Sequence, residues 1–447
     1  MRSPELLSPA GTIKNMRYAY AYGADAVYAG MPRYSLRVRN NDFMGENLRL
    51  GIDEAHSLGK SFFLTCNLMP HGAKLKTFMR DMEPVVELGP DALILSDPGL
   101  IMLTRERWPD MPLHLSVQAN TVNAASVKFW QQMGLSRIIL SRELSLEEIA
   151  EIRQECPDME LEVFIHGALC IAYSGRCLLS GYFNHRDANQ GACTNSCRWE
   201  YKLGPGEDEE NTAPLSQSGQ ERHPEAEKEY LLEERERPGE LMPILEDENG
   251  TYIMNSRDLR AVEHVQRLVE IGVDSFKIEG RTKSHYYAAR ATQIYRQAID
   301  DAVAGREFNP NLMVDLEGLA NRGYTDGFYQ RHPSQELQNY RKNSSDSVRE
   351  LFVGEVAEQD TESGVAVIDV KNKFAIGDEL QLLTPSGNHQ FKLQQVEDLY
   401  GNSMDEVPGG GYKVRIQLPV HSGEMGLITK HIKPTTVPFV SSPTGIG

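Results

Sequence analysis

The feature that most constrains the fold is a regular alternation of short apolar runs with amphipathic segments over the first 280 residues. The segments 12–23, 47–59 and 145–156 place apolar residues at helical spacing, whereas the apolar runs are of strand length. Strands that alternate with helices form parallel sheets, and eight of them favour a closed (β/α)8 barrel over an open sheet. The predicted strands are residues 5–10, 26–30, 61–67, 92–97, 113–118, 137–142, 161–167 and 275–280.

The chain is predicted to have two domains, because 447 residues are more than one hydrophobic core usually supports. After Tyr324 the strand–helix pattern gives way to short alternating strands separated by Gly, Asn and Pro turns, which is typical of a small antiparallel β-barrel. We therefore assign residues 1–340 to a TIM-like barrel and residues 346–440 to a small β-barrel domain. A further run at 251–255 is predicted to pair with 199–203 as a hairpin outside the barrel.

An acidic, low-complexity segment at residues 205–240 interrupts the barrel pattern. It contains twelve acidic and four basic side chains, a net charge of −8 out of −18 for the whole chain. Such a composition does not bury a core, so a surface insertion is predicted. Because so much of the negative charge lies in this segment, the overall charge does not exclude a nucleic-acid substrate, which can bind in a basic cleft of an acidic protein.

The chain is predicted to be cytoplasmic and to have no membrane partner. Its first residues lack the basic and then apolar layout of a secretion signal, and no apolar run approaches the ~20 residues that span a bilayer. In a reducing compartment, clustered cysteines indicate metal binding or redox chemistry rather than disulfide bonds.

Four of the six cysteines lie within 28 positions, directly after the seventh predicted strand. Four thiolates can complete a tetrahedral metal site. Structural zinc usually uses closely paired cysteines, and only the last two resemble such a pair, so an iron–sulfur cluster fits at least as well. Cysteines packed without a metal are the third possibility. The candidate ligands are Cys170, Cys177, Cys193 and Cys197.

Polar residues where the predicted strands end are the candidate site residues, because reactive groups of (β/α)8 barrels lie at the carboxyl ends of the strands. Lys277, Glu279 and Arg281 have a spacing of two, so they should point the same way, either towards a ligand or into a structural ion-pair network. Asn67 and Gln118 are candidates for substrate binding.

Three further residues are candidates from their positions. His166 is either a general base or a hydrogen-bonded core histidine, and Cys66 ends the third strand and is expected to face the barrel mouth. Arg176, within the cysteine segment, is a candidate for binding phosphate or carboxylate.

The usual motifs of several enzyme classes are absent from the sequence. H-E-x-x-H and G-x-S-x-G do not occur, and there is no P-loop or dinucleotide-binding fingerprint. The residues alone therefore predict a metal-bearing barrel enzyme with a β-domain appended to it.

The segment 162–180 resembles the signature of the collagenase-like peptidase U family. Further blocks in the family's order are "ELLSPAG" at the start, "GADAVYAG" at 23–30, "RDANQGACTNSCRW" at 186–199 and "SFKIEGRTKS" at 275–284. The resemblance covers nearly the whole chain apart from the acidic segment. The signature positions matched are Glu162, Phe164, Gly167, Ala168, Cys170, Gly175, Cys177 and Ser180.

Within the family, one barrel followed by a C-terminal β domain is most similar to the branch that makes 5-hydroxyuridine in bacterial tRNA. The resemblance implies hydroxylation of the wobble uridine, a 4Fe-4S cluster on the four clustered cysteines, tRNA as substrate and prephenate as the hydroxyl donor. From charge and position, Arg142, Lys277 and Arg281 are candidates for binding such a dicarboxylate; Lys277, Glu279 and His166 are the catalytic candidates. The alternatives are a collagenase-like metallopeptidase with zinc in the cysteine site, and a non-catalytic RNA-binding protein with a structural metal.

Overall fold

A computed structural model of the chain divides it into two compact units. The first contains Met1–Met313 and Asn321–Ser345, and the second contains Val314–Ala320 and Asp346–Gly447. The short segment 314–320, assigned above to the barrel, thus belongs to the second unit. The structure describes residues 2–36, 41–169, 230–233, 241–247, 250–252, 257–321, 323–330, 350–422 and 425–432.

The first unit is a closed barrel of eight parallel strands. Each of β1 to β6 pairs with the strand that follows it, and β12 pairs in parallel with both β1 and β7, which closes the ring. All eight predicted strands are present, and the predicted (β/α)8 barrel is confirmed. The strands of this unit are β1 (Glu5–Pro9), β2 (Ala26–Gly30), β3 (Ser61–Thr65), β4 (Ala92–Leu95), β5 (Leu113–Leu115), β6 (Arg137–Ile139), β7 (Glu160–Ala168), β8 (Tyr230–Glu233), β9 (Leu241–Asp247), β10 (Gly250–Tyr252), β11 (Asp258–Arg260), β12 (Ser275–Ile278) and β13 (Tyr324–Thr325).

Helices follow the strands, as the apolar spacing predicts. Thr12 caps the first helix with its side chain, and Ser145 and Glu148 form a reciprocal capping box at the sixth. None of the helices in the described ranges is both long and apolar enough to cross a membrane. The helices are α1 (Ile13–Ala21), α2 (Glu46–Ser57), α3 (Gly72–Glu87), α4 (Pro98–Arg107), α5 (Ala124–Gln132), α6 (Leu146–Glu155), α7 (Val265–Ile271), α8 (His285–Val303) and α9 (Asn311–Glu317).

The chain between β7 and β12 forms strands outside the ring. β11 pairs antiparallel with the end of β7, and β13 pairs with β11. β8, β9 and β10 form a three-stranded antiparallel sheet, in which β10 pairs with β9. The predicted hairpin stays a prediction: residues 251–252 of its second strand lie in β10, which pairs with β9, whereas 253–255 and 199–203 lie outside the described residues. The acidic segment 205–240 contributes β8 to this sheet.

The second unit is an antiparallel β domain. Seven strands are hydrogen-bonded in the order β18-β17-β22-β14-β15-β21-β19, and β16 pairs with β20. Apolar side chains such as Val353, Ile368 and Leu382 form its core. The predicted antiparallel domain is confirmed; in the described ranges its end strands β18 and β19 are not paired with each other. The strands are β14 (Glu350–Gln359), β15 (Val365–Val370), β16 (Phe374–Ala375), β17 (Glu379–Thr384), β18 (Gly387–Lys392), β19 (Val396–Asp398), β20 (Glu406–Val407), β21 (Lys413–Gln417) and β22 (Leu427–His431).

Candidate active site

A cleft opens at the carboxyl ends of the barrel strands. It encloses about 570 Å³, including the part that is open to solvent. Reactive groups of (β/α)8 enzymes lie at this end of the barrel. The structure brings together in its wall six of the residues singled out from the sequence, namely Asn67, Gln118, Arg142, Lys277, Glu279 and Arg281.

Lys277 lies in the cleft wall with a buried carboxylate behind it. Its Nζ is 2.7 Å from Oε1 of Glu162, a β7 residue with no solvent exposure. Burial lowers the pKa of Lys277, and the charge of Glu162 opposes that shift. The ammonium also lies 4.2 Å from the centre of the Tyr28 ring. Lys277 therefore has features of both predicted roles. It belongs to a structural ion pair, and it faces the cleft.

The ion pair extends towards the opposite end of the barrel through Arg137. This side chain is 3.3 Å from Glu162, 2.6 Å from Glu5 and 2.9 Å from Glu160. Ser275 donates a hydrogen bond to Glu5 at 2.8 Å, and burial raises the pKa of Glu5 against the opposing charge of Arg137. The barrel interior thus contains a connected network of charges rather than only apolar layers. This network holds Lys277 in place from below the cleft.

Arg142 and Glu279 form a second ion pair in the wall. Nη2 of Arg142 is 2.7 Å from Oε2 of Glu279, and both side chains are mostly buried. The guanidinium lies 3.6 Å from the centre of the Phe164 ring, a stacked arrangement that fixes its plane. The pair therefore presents a fixed cation and its counter-ion at the mouth of the barrel.

Arg281 is held by the loop that follows β2. It donates hydrogen bonds to Oγ of Ser35 and to the carbonyl of Leu36, each at 2.6 Å. A Cβ at Gly30 would lie 2.5 Å from Nη1 of Arg281, so a larger residue here would displace the guanidinium from its present position. Glycine at the end of β2 thus makes room for one of the cations of the cleft.

The described wall of the cleft has an excess of positive charge. Arg142, Lys277 and Arg281 contribute three cations to the wall itself and Glu279 one carboxylate, which leaves two positive charges there; the buried Glu162 behind the wall pairs with Lys277. Fixed cations in a partly buried site favour a small anion with more than one carboxylate. The paired carboxylate Glu279 and the amine of Lys277 are the groups in this wall that could transfer a proton.

His166 lies outside the cleft wall, contrary to its expected place at the strand end. The register between β7 and β12 shifts after Lys277, so His166 pairs with the outward-facing position of Ile278. Its ring is 5.7 Å from that of Tyr287 and 5.4 Å from that of Tyr295, both on α8. The arrangement favours the core-histidine interpretation over a general base in the cleft.

The buried position of His166 predicts a pH dependence of stability. Burial first, and then the charges of Lys283 and Arg260, lower its pKa to about 3 from 6.5. The unfolded chain takes up this proton below pH ~6.5 and the folded chain does not, so stability is complete above that pH and falls as the pH decreases. We compare the free energy of unfolding of the native protein with that of His166→Gln at each pH. The native value minus the variant value should fall by about 2 kcal/mol when the pH is lowered from 7.5 to 5. Urea unfolding at the two pH values measures it, and a constant difference would contradict the buried neutral ring.

The cysteines divide into two groups. Cys66 is fully buried with its Sγ 3.9 Å from Sδ of Met82 on α3, and burial raises the pKa of its thiol. The expectation that Cys66 faces the barrel mouth is therefore wrong, because it packs against a helix. Cys156 is also buried, at the end of α6. The four candidate ligands, Cys170, Cys177, Cys193 and Cys197, lie outside the described residues, as does Arg176.

A separate group of possible metal ligands occurs away from the cleft wall. Donor atoms of Glu263, His264 and Asp326 all lie within 4.8 Å of one another. Nε2 of His264 is 3.3 Å from Oδ2 of Asp326, and the imidazole packs edge-on against Tyr329. A hydrogen-bonded structural pair accounts for this geometry.

Glu162 matches the family signature but is not among the predicted site residues, although it lies directly behind Lys277. The sequence does contain a signal for this role, because Glu162 is the single acidic residue in the apolar run "LEVFIHG". If the strand is buried on both faces, its carboxylate needs a cation as a partner. Tyr28 and Phe164, whose rings contact the cations, were missed because aromatic residues in strands are ordinarily core residues.

Two family models match the chain over most of its length. Residues 11–339 match peptidase family U32, and residues 349–429 match the peptidase family U32 C-terminal domain. The chain is 60% identical over 433 residues to the tRNA hydroxylation protein P of Escherichia coli, which covers 94% of each chain. It is 57% identical over 429 residues to the protein of the same name from Haemophilus influenzae, with 93% of each chain covered.

A more distant relative is the 23S rRNA 5-hydroxycytidine synthase of Escherichia coli, 29% identical over 435 residues that cover 93% of this chain and 59% of that protein. The family resemblance carried by the signature around Cys170 is thus confirmed by matches along both units. This chain belongs to peptidase family U32, because the family model matches residues 11–339 and the two relatives of 60% and 57% identity align along nearly their full length.

Proposed function

We propose that this protein is a tRNA-modifying hydroxylase that converts the wobble uridine to 5-hydroxyuridine. The observation that carries the proposal is the 60% identity, over nearly the full length of both chains, to a protein named for tRNA hydroxylation. The site is compatible with it, because the cleft lies at the reactive end of a barrel and contains fixed cations, a carboxylate and amides. The wobble base lies in a single-stranded loop, so it can enter a cleft without the opening of a duplex.

The proposal includes a 4Fe-4S cluster bound by Cys170, Cys177, Cys193 and Cys197. Replacing the C5 hydrogen of uracil by a hydroxyl group removes two electrons from the base, so the hydroxyl donor must take up two electrons as its C–O bond breaks. An iron–sulfur cluster would supply single-electron transfer between the two when it is bound. Four thiolates are the donor set that such a cluster requires, and the segment that contains them begins two residues after β7, whose Phe164 lines the cleft. The two cysteines in the described ranges are both buried elsewhere, which supports assigning this role to the other four. Zinc in the same site is the alternative metal.

Prephenate is the proposed hydroxyl donor. It carries two carboxylates, and the described wall of the cleft has an excess of two positive charges from Arg142, Lys277, Arg281 and Glu279. In the proposed arrangement, the stacked guanidinium of Arg142 and the anchored guanidinium of Arg281 bind carboxylate oxygens, and Lys277 contributes a third charge-assisted donor. Protein groups in this wall therefore orient the co-substrate and balance its charge.

Nucleoside analysis of tRNA from a deletion strain tests the proposed function. A strain that lacks the gene should have no 5-hydroxyuridine derivatives, and a plasmid with the native gene should restore them. Unchanged nucleosides in the deletion strain would contradict the proposal and favour the peptidase or the non-catalytic alternative. Gelatin cleavage that is lost in Cys170→Ser would then identify the peptidase, and its absence would leave an RNA-binding protein with a structural metal.

The cluster assignment predicts the metal content of the purified protein. Protein prepared without oxygen should be brown and contain about four irons per chain, as a 4Fe-4S cluster requires. Ser in place of Cys170 or Cys177 should remove most of the iron, whereas Ser in place of the buried Cys66 should leave it unchanged. Iron and zinc are measured by mass spectrometry of the metals. A colourless protein that contains zinc would contradict the iron–sulfur assignment.

A further inference from the structure

A directional chain of hydrogen bonds begins at a backbone amide beside the cleft. The N–H of Leu36 donates to Oδ1 of Asn67 at 3.2 Å, which fixes which end of the Asn67 amide is oxygen. Nδ2 of Asn67 must therefore be the donor in its contacts with Oγ of Ser116 at 3.1 Å and with Gln118 at 3.2 Å. Because a backbone N–H can only donate, every later step of the chain has one possible direction.

The same chain fixes the orientation of the Gln118 amide. Its Oε1 accepts from Nδ2 of Asn67 and from the hydroxyl of Ser116, the latter at 2.6 Å. A reversed amide would place its NH2 against the NH2 of Asn67, so that contact would have two donors and no acceptor, and the hydroxyl of Ser116 would lose the oxygen to which it donates. The oxygen of Gln118 thus has two donors within the protein, whereas its NH2 group has no partner among the described residues, and Gln118 lines the cleft.

We propose that Gln118 is a specificity-determining residue that presents its side-chain NH2 to a carbonyl or carboxylate oxygen of the acidic co-substrate. Asn67 and Ser116 are positioning residues, since they contact the oxygen end of Gln118 and prevent the amide from rotating. The inference rests on the proposed function in one respect, that a dicarboxylate binds in this cleft.

The proposal is consistent with the charge of the rest of the wall. Arg142, Lys277 and Arg281 are donors only, so a ligand of this cleft must be rich in acceptor oxygens. An amide oxygen facing such a ligand would repel it, whereas an NH2 group adds a neutral donor in a fixed position. The orientation of one amide therefore decides whether the Gln118 side of the cleft attracts or repels a carboxylate.

Prephenate binding to the native protein and to Gln118→Glu, measured by isothermal titration calorimetry, tests the proposal. The substitution keeps one oxygen as acceptor for Asn67 and Ser116 and replaces the NH2 donor by a second oxygen, so binding should weaken roughly 10- to 100-fold. The matched control is Gln132→Glu on the exposed surface of α5, which makes the same charge change and should bind as the native protein does.

A second variant is designed to reverse the orientation of the Gln118 amide without replacing Gln118. Asn67→Asp still accepts from the Leu36 amide but cannot donate to Oε1 of Gln118, so the amide should rotate and present its oxygen to the cleft. We expect unchanged circular dichroism and a loss of prephenate affinity at least as large as in Gln118→Glu, because the Asn67→Asp substitution both releases the amide and adds a negative charge to the wall.

The outcomes separate this inference from the proposed function. If the native protein binds prephenate and Gln118→Glu binds it equally well, the role of Gln118 is wrong and the proposed function stands. If Asn67→Asp binds prephenate as tightly as the native protein does, the positioning role of Asn67 is wrong. If the native protein does not bind prephenate, the proposed co-substrate is wrong and the inference fails with it.

Discussion

Replacing Glu162 by Gln should lower the free energy of unfolding by about 3–5 kcal/mol. The carboxylate has no solvent exposure and neutralises Lys277 at 2.7 Å and Arg137 at 3.3 Å. Removal of its charge takes from the buried Lys277 the carboxylate paired with it, while Arg137 keeps Glu5 and Glu160. A buried ammonium that loses its partner costs far more than the loss of a surface ion pair. Urea unfolding at pH 7.5, followed by circular dichroism, gives the difference from the native protein.

Glu160→Gln on the same strand is the matched control. Glu160 also pairs with Arg137, but its side chain is 39% exposed, so its loss should cost about 1 kcal/mol or less. Equal effects of the two substitutions would show that the charge of Glu162 does not stabilise the barrel interior.

Lys277→Met should reduce kcat/KM for prephenate roughly 10- to 100-fold, the effect of losing one hydrogen bond to a charged group. Met preserves most of the volume of the side chain, and Glu162 keeps its ion pair with Arg137, so the barrel should still fold. The excess charge of the described cleft wall falls from two to one. The KM for tRNA should not change, because the substitution acts on the binding of the small anion.

Lys128→Met is the control for this substitution. Lys128 lies on the exposed face of α5 and pairs with Glu155, so the variant makes the same chemical change far from the cleft wall. Its kinetic constants should match those of the native protein. A Lys277→Met variant with native kcat/KM for prephenate would contradict the role of this ammonium in the cleft.

The strand positions of the barrel could be predicted because each strand is a short apolar run followed by an amphipathic helix. The same logic placed Asn67, Gln118, Arg142 and Lys277 in one cleft, since the ends of parallel strands converge at one end of a barrel. Pairing partners outside the ring could not be predicted in this way. β10 pairs with β9 through residues three to seven positions apart in the chain, and a hydropathy pattern contains no information about this choice of partner.

The position of His166 shows a different limit of sequence reasoning. Strict alternation along β7 would direct it inwards, as it does Phe164, but one register shift turns it outwards towards α8. A bulge depends on the pairing of two strands and is invisible in either strand alone. The orientation of the Gln118 amide is likewise a property of three residues and a backbone N–H that meet only in the folded barrel.

A reconstituted reaction tests the central claim most directly. Purified protein prepared without oxygen is mixed with prephenate and with tRNA from the deletion strain. The tRNA nucleosides are then separated by chromatography and identified by mass spectrometry. The account predicts 5-hydroxyuridine at the wobble position that depends on prephenate and is lost when Cys170 is replaced by Ser. Cluster-loaded protein that forms no 5-hydroxyuridine with prephenate, or forms as much without it, would contradict the account.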